Sequence, residues 1–410
     1  MVDRRLKVAI VLFFVCLLGF ISLVLVSEYL NMEKLKDQYP NLSEKAYNLR
    51  KDRLRVWAIR LILQFLIPLL FLTSRLSYRI RFFVENDRSL FLTGLFYGLI
   101  FFTLMFLIYL PLNYYSSFVL AHKYGLSNQT FARWLEVNIK SFLVNDLSLS
   151  LFIFIPFYFI YRSPKFWWLQ LSLLLIPVII FVVFITPFLI DPIFNKYTSI
   201  EDEKLGQEIR VLLHKAGIED AKIYKVDKSK DTKTMNAYMT GIFHSKRIVL
   251  WDTTINNLEE REVLSITAHE IGHYIRGHIW KNIIFSCVGT ILISLLVFLT
   301  SRWILSLSNG RFGIRRLHDI AALPLLFLVL NFYLFLSSPI KNYVSRYMEV
   351  EADKYEIILT EDRESAISAM EKLYDQSLGL PRSSKIYKIW YHTHPTLEER
   401  IEFYKTYPLD

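Results

Sequence analysis

The stretch TAHEIGHYIRGHIWKNIIFSCVGTILISLLVFLT, residues 267–300, joins two kinds of chain. Its first part carries histidine and charge at helical spacing. From Asn282 it becomes an apolar run long enough to cross a bilayer. Such a junction puts chemistry at the foot of a membrane helix.

Upstream, EEREVLSITAHEIGHYIRGH (259–278) keeps apolar residues on one face for about five turns, which predicts a helix running straight towards the apolar segment. Within it, HEIGH sets His269 and His273 four residues apart, so both imidazoles leave the same face and can share one small cation. Glu270 is a poor ligand at this spacing but is placed to take a proton from a water that the cation acidifies. A metal held this way needs a third protein ligand. The extended HExxHxxGxxH form would require histidine at 279, where this chain has Ile279. A later carboxylate is the alternative, and SRYMEVEADKYE (345–356) offers Glu349, Glu351, Asp353 and Glu356. Glu349 and Asp353 share a helical face, so one can bind metal while the other orients a ligating histidine. Glu351 points roughly 160° away from Glu349 and is expected to be solvated.

The 410 residues are 53% hydrophobic and 16% aromatic, more than one soluble core uses, and the excess is expected in lipid. Windows nearly free of charge recur at 8–26, 56–73, 90–112, 147–161, 167–190, 282–304 and 319–340, predicting about seven spans. The fourth is about 15 residues long against the roughly 20 expected, so it is tilted into its flanks or a partial span. The first follows the basic start MVDRRLK, exceeds a secretory h-region and lacks a small-residue cleavage site, so it is read as a retained anchor. Cys16 and Cys287 both sit in apolar segments, which excludes a disulfide framework and a cysteine-rich zinc site. The net charge of +10 is spread over loops and suits lipid headgroups rather than nucleic acid.

Two stretches escape the membrane pattern, 191–281 and 341–410. The organisation expected is therefore a five-span region (1–190), a first protease segment with HEIGH (191–281), two further spans (282–340) and a second protease segment with the third ligand (341–410). In the first segment, residues 205–216 read as a helix, and AKIYKV and KRIVLWD as a small hairpin-like sheet. Two spans separate His269 from Glu349, an even number, so both lie on one side of the membrane. Lysine and arginine occur on both sets of loops, and the positive-inside rule decides little.

HEIGH, SRYMEVEAD and HPTLEERI, interrupted by apolar spans, resemble the type I CAAX prenyl proteases, integral-membrane zinc metallopeptidases. NAYMTG followed by KRIVLWDTTI, DPIFNKY at the exit of the fifth window, and YGLSNQTF extend the likeness. The resemblance implies a mainly α membrane protein in which seven helices enclose a water-filled chamber capped by a small α+β protease domain. It implies one Zn2+ per chain on His269, His273 and Glu349, with Glu270 as base and Asp353 in support. It further implies that His394 stabilises the oxyanion or the bound carbonyl, His392 being the neighbour that could be confused with it. NAYMTG looks like the sheet edge that receives an extended peptide, with Asn236 and Ala237 as contacts. Arg400 is expected to position the C-terminal helix or to contact the surroundings of Glu349. Arg60 and Gln64 share a face of the second window, where they would line a cavity or snorkel.

These features imply a peptide or protein substrate, with prenylated CAAX tails as one class and damaged membrane proteins, in an organism without prenylation, as another. A transporter or scaffold with a relic metal site leaves the three motifs unexplained. An intramembrane-cleaving enzyme would carry HExxH inside a span. The ending YPLD lacks a lysine-based retrieval signal, which favours a prokaryotic plasma membrane over the endoplasmic reticulum, and the resemblance places the protease domain in the cytoplasm.

Overall fold

The structure, a computed structural model, describes residues 4–242 and 245–408; parts of the basic start and of the YPLD ending fall outside them. Seven helices among these residues are long and apolar enough to cross a membrane: Arg4–Gln38, Glu44–Thr73, Leu90–Lys123, Phe131–Arg162, Trp167–Phe194, His278–Ser308 and Ile320–Thr360. They are called spans 1 to 7. Each contains one apolar window of the sequence.

The fourth corrects the expectation of a short span. Its helical course starts at Phe131 and passes a π-helical stretch, Phe142–Leu147, and a 3-10 turn, Ser148–Leu151, before Phe154–Arg162. Asn145, Asp146 and several serines lower its hydropathy and hid its first half. Two of those polar groups bond locally, as a lipid environment favours: Asn145 Nδ2 donates to Ser141 Oγ at 3.0 Å and the Ser148 hydroxyl donates to the Val144 carbonyl. Span 4 can lie this close to span 3 because Gly98 has no side chain; a Cβ there would come within 2.9 Å of Ser150 Cα.

The helix bearing HEIGH, Glu260–Ile275, does not run straight into span 6. Gly277 adopts the left-handed conformation (φ +66°) and ends it, and span 6 restarts at His278. Beside this motif helix lies a four-stranded sheet of β1 (Tyr197–Ser199), β2 (Lys222–Val226), β3 (Ala237–Thr240) and β4 (Arg247–Trp251), in the order β1-β2-β4-β3. AKIYKV and KRIVLWD do not form a hairpin with each other. Their strands β2 and β4 run parallel, Ile223 opposite Ile248, while β3 pairs antiparallel with β4 and forms one edge. The intervening chain is long enough for the crossover that parallel strands require.

Both non-membrane stretches feed one core. Ile209, Ile223, Ile248, Val263 and Ile271 come from the first, and Ile357, Ala366, Ala369 and Tyr404 from the second. Span 7 bridges this core and the bilayer. Its α-helix, Leu323–Thr360, has 38 residues; at 1.5 Å per residue it is roughly 57 Å long, against a hydrocarbon thickness of about 30 Å. Its surplus turns carry SRYMEVEAD alongside the motif helix.

Candidate metal and catalytic site

The motif helix starts at a capping box in which the Glu259 backbone N–H donates to Glu262 at 2.8 Å, and its acidic first turn suits the helix dipole. Val263 and Ile271 then fix its buried face. Gly272 brings it against span 7: a Cβ at this position would lie 3.1 Å from the Ala352 carbonyl oxygen. That close approach carries Glu349 to the histidines.

His269 Nε2 lies 3.0 Å from His273 Nε2 and 3.3 Å from Glu349 Oε2, and His273 Nε2 lies 3.4 Å from Glu349 Oε1. Donors about 2.0–2.1 Å from a tetrahedral ion stand roughly 3.3–3.4 Å apart. Glu349 Oε2 is buried and makes no hydrogen bond. An unsatisfied buried acceptor of this kind costs about 1–3 kcal/mol or more, a cost that a cation between the three side chains removes. The donor set therefore fits a small divalent metal. His269, Asp353 and Glu356 also come together, but there the carboxylates already have partners in Arg400, Tyr404 and Ser265.

Each histidine is held from behind. Asp353 Oδ1 lies 2.9 Å from His269 Nδ1 and is itself gripped by Arg400, whose Nε donates to Asp353 Oδ2 at 3.1 Å. The Tyr404 hydroxyl sits 2.9 Å from Asp353 and 2.7 Å from Glu356. Arg400 thus acts on the surroundings of His269. His273 Nδ1 meets His278 Nδ1 at 2.8 Å, and His278 Nε2 meets Glu351 at 3.1 Å. Glu351 is consequently not a solvated bystander: it receives His278 and, at 2.9 Å, Lys281. Sequence reasoning missed His278 because five residues of continuous helix would turn it roughly 140° from His273. The break at Gly277 swings it back.

Glu270 lies beside the two histidines, where burial pushes its carboxyl above the usual glutamate range against the opposing pull of His269, His273 and Arg400. His394 Nε2 is 3.3 Å from Glu349 Oε1, and its Nδ1 is 2.9 Å from Thr393 Oγ1. With the threonine donating, Nε2–H is the group turned to the cleft. His392 packs on the Tyr387 ring instead, 5.6 Å between centroids. The loop carrying both is fastened by Arg346, one turn before Glu349, which donates to the His392 carbonyl at 2.7 Å. Sequence reading overlooked Arg346 as well.

At the sheet edge, the Trp251 N–H donates to the Asn236 carbonyl at 3.0 Å. Alternation along β3 then turns the main-chain groups of Ala237 and Met239 away from β4, towards the free edge. Asn236 is exposed, but its Oδ1 accepts the Ala237 N–H at 2.9 Å, so that amide already has a partner. Ala237 buries its own side chain. Arg60 donates to Asn113 at 2.9 Å, and the Gln64 carbonyl accepts from Asn331 at 3.2 Å.

Seven apolar helices with a His-Glu-His-Glu cluster in an α+β unit at their end define a multi-pass membrane metallopeptidase. The chain belongs to peptidase family M48, whose model matches residues 199–407, and residues 32–196 match the CAAX prenyl protease N-terminal region of five membrane helices. It is 36% identical over 301 residues to the uncharacterized metalloprotease YhfN of Bacillus subtilis, covering 72% of this chain and 69% of that one. With CAAX prenyl protease 1 of Saccharomyces cerevisiae it shares 32% over 317 residues, covering 72% and 68%. The crystal structure of S. mikatae Ste24p superposes with a TM-score of 0.84 at 27% identity, over 97% of this chain and 99% of the other.

Proposed function

We propose that this membrane metalloprotease is a zinc endopeptidase that trims the C-terminal CAAX segment of membrane-attached, prenylated proteins. The convergence of two imidazole nitrogens and an orphaned buried carboxylate carries the metal assignment: one Zn2+ per chain on His269, His273 and Glu349. That donor set is the mixed nitrogen and oxygen kind that zinc accepts in catalytic sites. The substrate class rests on the relatives named CAAX prenyl protease 1 in Saccharomyces cerevisiae and CAAX prenyl protease 1 homolog in Homo sapiens, the latter 29% identical over 351 residues.

When bound, the ion supplies Lewis-acid polarisation of the scissile carbonyl and a more acidic water. Glu270 takes the proton of that water and passes it to the leaving nitrogen. His394 directs its Nε2–H at the charge developing on the carbonyl oxygen. Asp353 and His278 hold the two imidazoles in register. The peptide lies along β3, pairing with the main chain near Ala237 and Met239, while the Asn236 amide yields its local bond to the incoming strand.

The chamber belongs to the same reading. No span has more than 39% of its apolar window buried, and span 5 only 6%, so the helices leave much of their surface to lipid or an internal space. We place the protein in a prokaryotic plasma membrane with the protease unit in the cytoplasm. Cysteine labelling of the loop between β3 and β4 in intact cells tests that orientation.

Glu270→Gln should keep bound zinc and lower peptide hydrolysis by several orders of magnitude; full activity would remove Glu270 from this role. Proteomics of membranes carrying the active protein or the Glu270→Gln form identifies the substrate. Accumulated prenylated tails support the reading, whereas accumulated damaged membrane proteins would replace it with quality control. The greater identity to the bacterial metalloprotease than to the yeast enzyme makes that second outcome worth measuring.

A further inference from the structure

At the end of the bundle remote from the metal site, the loops after spans 2 and 6 enclose a cavity of about 840 Å³. Its charged walls are Arg75, Arg81, Arg88, Arg315, Arg316 and His318, against only Glu85 and Asp319. Arg81 alone engages both carboxylates, Glu85 at 2.8 Å and Asp319 at 3.5 Å. Arg75 donates to the Arg311 carbonyl at 2.9 Å, and Arg88 to the Val84 carbonyl at 2.7 Å. Arg315 and Arg316 are exposed and have no carboxylate partner among the described residues. The cavity thus keeps a positive excess that no carboxylate among the described residues neutralises.

The walls are built rather than floppy. Gly313 (φ +81°) packs under Tyr78, where a Cβ would come within 2.7 Å of the ring. Arg75 ties the same loop to the end of span 2.

Two neighbouring features say what the charge faces. Through Arg315, Arg316 and His318 the cavity adjoins a second, of about 470 Å³, reaching Trp167 at the start of span 5 and Arg302 near the end of span 6. Tryptophan and arginine at span ends mark the headgroup layer. On the other side, Phe312 of the same loop lines an almost wholly apolar slot of about 220 Å³ between spans 1, 2, 6 and 7, walled by Leu6, Phe13, Leu72 and Leu307. A guanidinium cluster at headgroup depth, on a loop whose Phe312 also lines an apolar slot, matches a molecule with a phosphate at one end and hydrocarbon at the other.

We propose that this cavity binds the phosphate headgroup of an anionic membrane lipid. Phosphatidylglycerol has that chemistry; a free phosphate shares the charge but has no use for the slot. The site is independent of the catalytic reading, lying at the opposite ends of spans 6 and 7.

The test uses the full chain in a neutral detergent. Its thermal midpoint is measured alone, with phosphatidylglycerol, with phosphatidylcholine and with inorganic phosphate, for the wild type, Arg315→Gln/Arg316→Gln and a control of equal charge change, Arg79→Gln/Arg162→Gln. Phosphatidylglycerol should raise the wild-type and control midpoints by several degrees, and the cavity variant should lose most of that shift. Mass spectrometry of co-purified lipid should show at least a several-fold loss of anionic lipid in the cavity variant alone, a readout that does not depend on its stability. An equal shift from phosphatidylcholine, or an equal loss in the control, would overturn the proposal. A full shift from inorganic phosphate would overturn it too, in favour of a soluble anion.

Discussion

Gly272→Ala probes the contact that delivers Glu349, the proposed third ligand. The added Cβ would sit 3.0 Å from Tyr355 Cβ, 3.1 Å from the Ala352 carbonyl oxygen and 3.2 Å from Ala352 Cα. Comfortable separations are about 3.5–4.0 Å. Two of the three neighbours belong to the backbone of span 7 and cannot rotate away, so the helices must part by roughly 0.4 Å to restore contact. Ligand distances in a metal site tolerate about 0.2 Å. Overpacking costs about 1–3 kcal/mol, and the better helix propensity of alanine returns up to about 1 kcal/mol. Global stability should therefore fall by only about 0–2 kcal/mol, while zinc affinity should fall about 10- to 100-fold, the range seen when support of a ligand is lost. Competition against a chromogenic chelator measures the affinity, and circular dichroism checks that helicity is kept. Wild-type zinc affinity in Gly272→Ala would refute the claim that this contact sets the distance from Glu349 to the histidines.

Other variants probe different parts of the site. Glu349→Ala should purify without zinc, read by elemental analysis; undiminished metal would move the third ligand elsewhere. His278→Ala strands His273 Nδ1, leaving Glu351 with Lys281 alone, and zinc should bind about 10- to 100-fold more weakly; an unchanged dissociation constant would reduce His278 to packing. Arg400→Met leaves Asp353 and Glu356 buried without their cation, so the thermal midpoint should drop by an amount corresponding to about 3–5 kcal/mol, and a drop within error would show the network to be dispensable. Glu262 lies buried against Lys372 at 2.6 Å; burial raises its pKa, but hydrogen bonds from Lys372, Ser368 and the Glu259 backbone more than offset this and leave it below the ordinary value. The stability it adds is fully present above the ordinary glutamate range near pH 4.3 and is lost as pH falls through the depressed folded value. The gap in thermal midpoint between wild type and Glu262→Gln should close on acidification through that window, and a constant gap would contradict the assignment.

Hydropathy and period made the spans and the motif helix legible, because both are properties of single segments. The Glu349–Asp353 pairing was legible for the same reason: four residues of helix fix a shared face. What escaped depended on departures from regular geometry. His278 was hidden by a glycine break, the first half of span 4 by polar residues in its π and 3-10 turns, and the parallel β2–β4 pairing by a crossover that short-range pattern cannot show. Arg346 was invisible because its partners are backbone carbonyls, which no side-chain motif records.

Span 7 passes through the bilayer and ends as the rod that presents Glu349. During synthesis the chain reaches HEIGH well before this rod exists, and the rod can stand beside the motif helix only once spans 6 and 7 have both been threaded. A ribosome-bound or half-inserted chain accordingly has two histidines and no complete metal cage. Insertion is thus a licensing step: the proposed metal cage is complete only once the protein is itself fully housed.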